Sequence, residues 1–204
     1  MTLTPETIAA LFTRDDSYRF ARWTRPIVPC VFGADDATLA AIKGGIEAVV
    51  TLAGHRMAET DAEMGANLWV FLIRDWAELD GVPELGGLIE GIGQTAQILA
   101  ARGASRYAQV RFEAEGAIRA VFLFVRVDEA APMAAEDLAL ELGVTAILDW
   151  ARPPVLGLAG DRMVVPPDLA SLIRAAYDPV LPAASADPAH ALRLFARVAA
   201  AGAA

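Results

Sequence analysis

Apolar positions along this chain change period several times, and each change marks an element. Residues 67–73, "NLWVFLI", are almost continuously apolar and rich in strand formers. That predicts a central strand buried on both faces. Further on, Val110 and Phe112 alternate with Gln109 and Arg111, and an apolar run resumes after Glu115-Gly116, which is the pattern of a hairpin. Leu39, Ile42, Ile46, Val49 and Val50 instead recur at helical spacing, between the acidic start Asp35-Asp36 and the stop Gly54. Thr4-Pro5-Glu6 opens a shorter helix, with Thr4 as cap, Pro5 at the first helical position and Glu6 favouring the dipole. Residues 25–33, "RPIVPCVFG", read as a short strand, and the two prolines place it at a sheet edge. Pro83 and several glycines break residues 74–104 into helical pieces and a loop. A helix over 134–151, a proline-bounded helix over 166–179 and an Ala-rich helix over 187–204 that frays at its end complete the chain.

A strand–helix–strand start favours a crossover between parallel strands, and the hairpin adds antiparallel ones. The expectation is an α+β fold, a mixed sheet with helices packed on one side, followed by C-terminal helices. Nothing along residues 1–204 reads as a linker or repeat, so a single domain is expected, with an α+β core over about 19–151 and a helical part over about 152–204.

Composition narrows the function classes. Of 204 residues, 55% are hydrophobic and 21% charged, which excludes global disorder. A net charge of −9 with no basic run argues against a nucleic-acid partner. No stretch reaches the ~18–20 apolar residues of a membrane span. The first residues lack a basic and then apolar leader, which reads as cytoplasmic, or as periplasmic or secreted if Met1 replaces a removed leader. Cys30 is the only cysteine, so neither an internal disulfide nor a cysteine zinc cluster is open to the chain. Its apolar neighbours predict a buried, inert thiol. His55 and His190 are the only histidines, and a surface role is expected for both.

The chemistry-bearing candidate is "AAEDLALELG", residues 134–143. Metal-dependent peptidases place two histidines one helical turn apart on such a helix, with a glutamate beside the first as general base. Here the equivalent positions hold Glu136, Asp137 and Leu140, then Gly143 where the chain would turn and Ala146 where a third ligand would sit. Leu140 and Ala146 have no donor, so zinc should not be held, and no cofactor is expected. Glu136 and Asp137 remain the catalytic candidates, although adjacent helical residues point about 100° apart and do not converge on one proton. Against a site stands the ordinary reading. Acids in a first turn favour the dipole, Leu138 and Leu142 form an i, i+4 pair, and Gly143 marks a kink or break in a buried helix. No G-x-G-x-x-G follows a strand, and neither a P-loop nor a G-x-S-x-G is present. Trp23, Trp69, Trp76 and Trp150 suit core anchoring better than a cleft.

Three runs resemble a known family. "RWTRPIVPCVFG" (22–33), "AAEDLALELGV" (134–144) and "VPPDLASLIRAAYDPVL" (165–181) resemble a proteobacterial family termed domain of unknown function 2927. The likeness spans about Arg19 to about Leu181, and Arg174, Tyr177, Asp178 and Pro179 carry its most specific part. The resemblance implies a zincin-like scaffold without the zinc-binding histidines, in a family whose members are usually exported and have no established activity. Glu136, Asp137 and Gly143 fall on its motif; Leu140, Ala146 and Met133 stand where it has Gln, Asn and often Cys. The function expected is a non-catalytic peptide- or protein-binding module. A metal-independent hydrolase using Glu136 and Asp137 is the alternative, and a structural subunit of an assembly is the third reading. Arg174 and Tyr177 are the weaker binding candidates. In a structural role, Tyr177 should be half-buried with its hydroxyl paired and Arg174 bound to a carboxylate.

Overall fold

The computed structural model describes residues 2–80, 82–128 and 133–202, with the side chains of residues 83 and 84 outside the description. Strand β4 (Pro29–Phe32) leads through helix α2 (Asp36–Leu52) to strand β5 (Leu68–Ile73), and the two strands pair in parallel. The hairpin consists of β6 (Arg106–Phe112) and β7 (Ile118–Arg126), and β7 pairs in parallel with β5. The four-stranded sheet therefore runs β4–β5–β7–β6, with β6 as its antiparallel edge. The fold is α+β. As its prolines predict, β4 is the other edge.

Both central strands are buried on both faces, and their alternation divides one core from another. Leu68 and Val70 of β5, with Val121, Leu123 and Val125 of β7, enter the main core under α2 and helix α5 (Ala135–Ile147). Ala120, Phe122, Phe124 and Ile73 enter a second core on the opposite face. A 3-10 turn at Trp76–Leu79 and helices α3 (Pro83–Leu88) and α4 (Ile92–Ala101) cover that second face. The expectation of helices on one side is therefore corrected: the broken stretch after β5 folds back as a lid, because a strand apolar at every position has two faces to bury. Phe32, Phe71, Phe124 and Tyr107 stand in register across all four strands on this face. Their rings are 4.8–5.9 Å apart in succession.

On the main face α2 and α5 cross closely through small residues. Asp35 caps α2 by accepting from the Thr38 N–H at 2.7 Å. A methyl group on Gly45 would lie 2.5 Å from Ala139 Cβ, and one on Gly143 would lie 2.9 Å from Val49 Cγ2. Gly143 lies inside α5 and breaks nothing; its missing side chain is what admits the partner helix.

Helix α1 (Pro5–Leu11) begins with the expected Thr4 cap. Helices α6 (Pro167–Ala176) and α7 (His190–Gly202) pack on each other, α1 packs on α7, and the apolar residues of α6 and α7 join the main core. Residues 203–204, where fraying was expected, lie outside the described residues. The periodicity gave no sign of the short pairs β1 (Thr13–Arg14) with β2 (Ser17–Tyr18), β3 (Phe20–Ala21) with β10 (Ala184–Ser185), and β8 (Gly157–Ala159) with β9 (Arg162–Val164). Among the described residues no helix is long and apolar enough to cross a membrane.

Candidate functional site

A cleft of about 500 Å³ opens between the β6 edge of the sheet and α5. Ala108, Leu123 and Val125 form its floor, and Glu141, Val144 and Thr145 of α5 form one wall. Residues 153–156 and Met163 of β9 close the other side. At one end Arg106 clasps Glu141, Nε to Oε1 at 2.8 Å and Nη2 to Oε2 at 3.3 Å. Of the lining side chains, Val155 is apolar and exposed, to 87%.

Among the described residues no strand pairs with the edge beside this cleft. Arg126 N donates to Ser105 O, which fixes the alternation of the antiparallel pair. Residues 107, 109 and 111 then bond toward β7, while Arg106, Ala108 and Val110 turn their backbone groups outward. Ala108 is exposed and small, so the approach to those groups is open. An extended chain could therefore be held by main-chain bonds while placing alternate side chains in the cleft.

The motif residues of α5 stand aside from this cavity. Glu136, in the first turn, is exposed. Asp137 Oδ1 accepts the Met163 N–H at 3.0 Å and so ties β9 to α5. Leu140 is packed against the main core and Ala146 is buried within it. The residues present do not fit a zinc ion. Two ligand positions are hydrocarbon, one acid already serves a backbone N–H, and the described residues contain no group of three His, Cys, Asp or Glu side chains placed to hold a metal.

The end of α5 explains most of the aromatic residues singled out above. A helix leaves its last carbonyls without partners. Here Trp150 Nε1 donates to Val144 O at 2.7 Å, Trp23 Nε1 to Ala146 O at 2.8 Å, and the Tyr177 hydroxyl to Ile147 O at 2.8 Å. Tyr177 is half-buried with its hydroxyl paired, as the structural reading requires, and burial raises its pKa. Trp76 Nε1 likewise donates to Ala104 O. Arg174 is exposed, and among the described residues it forms no ion pair; Arg197 of α7 takes Asp178 instead, at 3.3 Å.

The remaining candidates do not converge on the cleft. His55 is half-buried, with Nε2 2.8 Å from Arg25 O and its ring on Tyr177. Burial lowers its pKa, against the pull of that carbonyl. His190 is 1% exposed, which overturns the surface role expected of it. Its ring completes an aromatic cluster that a position near a helix start does not reveal. Cys30 is half-buried on the β4 edge rather than buried, because only one side of that strand is paired. In the sequence Arg106 and Ala108 stand out only as hairpin residues. Glu141, an acid of the 134–143 helix, takes its place at the cleft from a partner 35 positions away. The signal in the sequence was the i, i+4 step from Asp137 to Glu141 on one helix face.

Compared with known families, with curated proteins and with solved structures, the chain matches none.

Proposed function

We propose that this chain is a metal-free, zincin-like scaffold that binds an extended peptide or protein segment without catalysis. The observation carrying the reading is the β6 edge, which no strand among the described residues pairs, along an apolar cleft of about 500 Å³. Backbone groups at Ala108 and Val110 supply sequence-independent affinity, and the pocket between Leu123, Val144 and Leu156 selects an aliphatic side chain. The scaffold half of this reading rests on the helix that carries Glu136, Asp137 and Gly143, which is also the cleft wall. The hydrolase alternative gains nothing from the geometry: Glu136 points to solvent, and Asp137 is engaged by Met163.

The test is titration with short extended peptides of alternating aliphatic and polar residues, followed by amide NMR. Shifts should concentrate at residues 106–110 and 141–145. Ala108→Arg, which fills the floor, should abolish them, and Arg174→Ala should leave them unchanged. Shifts that survive Ala108→Arg, or that fall elsewhere, would overturn the proposal. Any hydrolysis that disappears in both Glu136→Gln and Asp137→Asn would restore the alternative.

A further inference from the structure

His190, the first residue of α7, is a buried ionisable group set among aromatic rings. Among the described residues neither ring nitrogen has a hydrogen-bond partner, and the buried Tyr18 hydroxyl and Arg22 Nε beside this region also lack one. The imidazole lies against Phe20, 4.3 Å between ring centroids, and 6.5 Å from the Tyr18 ring. Phe20 belongs to β3, which pairs with β10, and β10 leads directly into α7. The ring is thus wedged where the N-terminal segment closes on the C-terminal helix.

The attachment of that helix is narrow. Within α7 only His190, Ala191 and Leu194 are fully buried. Among the described residues one ion pair, Arg197 to Asp178, adds to it from a partly exposed position. The charges acting on the ring are Arg193 on α7, Asp187 in the turn before it and Arg22 after β3; α1 and α6, which also pack on α7, contribute none. Two of these three repel a cation. The Tyr18 hydroxyl is held neutral by burial and by Asp187, so it offers no counter-charge.

We infer that α7 is an acid-released latch: neutral His190 lets it dock, and protonation of that ring frees β10 and α7 from α1 and β3 while the four-stranded sheet stays folded. A cation here would be 1% exposed, without a hydrogen-bond partner among the described residues, at the margin of the main core, and the least costly relief is movement of a terminal helix rather than of the central strands. Burial, then Arg193, lowers the His190 pKa from 6.5 to about 4, against the attraction of Asp187. A lowered histidine pKa means that docking is strongest above about pH 6.5 and weakens as pH falls toward about 4. Over that window the open-to-docked ratio rises by up to about 300-fold, the tenfold-per-unit consequence of the shift.

Amide hydrogen exchange on the whole chain, corrected for intrinsic pH dependence, tests this. The Leu194 and Phe195 amides should open progressively more between about pH 7 and about pH 4, while those of β5 and β7 hold. In His190→Phe the α7 trend should vanish. Three results would overturn the latch: α7 opening that does not change with pH, the same trend in His190→Phe, or sheet amides opening in step with α7. If His190→Phe fails to fold, the wild-type imidazole proton resonances decide the matter. A midpoint near 4 that coincides with α7 opening supports the latch, and a midpoint at or above 6 refutes it.

Discussion

Two adjacent glycines in α2 should respond to the same substitution with opposite signs. Gly44 is exposed and a methyl group there would touch nothing within 4 Å, whereas one on Gly45 would lie 2.5 Å from Ala139 Cβ and 2.9 Å from the Ala139 carbonyl carbon. Carbon atoms pack at about 3.5–4.0 Å. Gly45→Ala therefore requires α2 and α5 to part by roughly 1 Å, or one backbone to deform. Overpacking of this kind costs about 1–3 kcal/mol, and the gain in helix propensity from Gly to Ala returns up to ~1 kcal/mol. The net loss for Gly45→Ala is about 1–2 kcal/mol. Gly44→Ala keeps the propensity gain alone and should stabilise by about 0.5–1 kcal/mol. The two variants should then differ by about 2 kcal/mol, which for a chain of this size is ~4–8 °C in Tm. Urea unfolding followed by tryptophan fluorescence measures this directly, provided the slopes agree. If Gly45→Ala matches Gly44→Ala, the helices do not cross at this distance and the account of Gly143 falls with it.

Tyr177→Phe should destabilise the chain by about 1–2 kcal/mol in the same assay, because it leaves the Ile147 carbonyl without its donor. It should leave peptide-induced shifts at the β6 edge unaltered; loss of those shifts would give Tyr177 a role in binding. Elemental analysis of the purified protein should find less than about a tenth of an equivalent of zinc, and chelation should not move Tm. Near one equivalent, resistant to dialysis, would contradict the donor set described for α5.

Much of the architecture could be read from local pattern. Strand 67–73, the hairpin, the capped α2 and the proline-started α6 all announce themselves, because period, caps and breakers act within a few residues. The side of the sheet on which the broken stretch 74–104 would land was not legible. Its glycines obscure the period, and Leu85, Ile89 and Ile92 show their common face only against Phe122 and Phe124. The site was legible in part. The acidic helix was legible, and the structure places its hydrocarbon positions 140 and 146 against and within the main core. Which face of that helix meets the cleft was decided by Arg106, a strand residue 35 positions before Glu141. Short pairs such as β3 with β10 join the two ends of the chain and leave no periodic trace.

The aromatic donors at the end of α5 have a consequence for how the chain assembles. Trp23 reaches a carbonyl 123 positions away and Tyr177 one 30 positions away, while Trp150 comes from the residues that follow the helix. Closing the longest of these loops carries the largest entropic cost, so the N-terminal contact gains from joining after the others have ordered. Residues from both flanks of the sheet must then be in place before the last turn of α5 is fully bonded. That turn acts as a checkpoint on complete folding, and a chain missing either flank would expose unpaired carbonyls at its own centre.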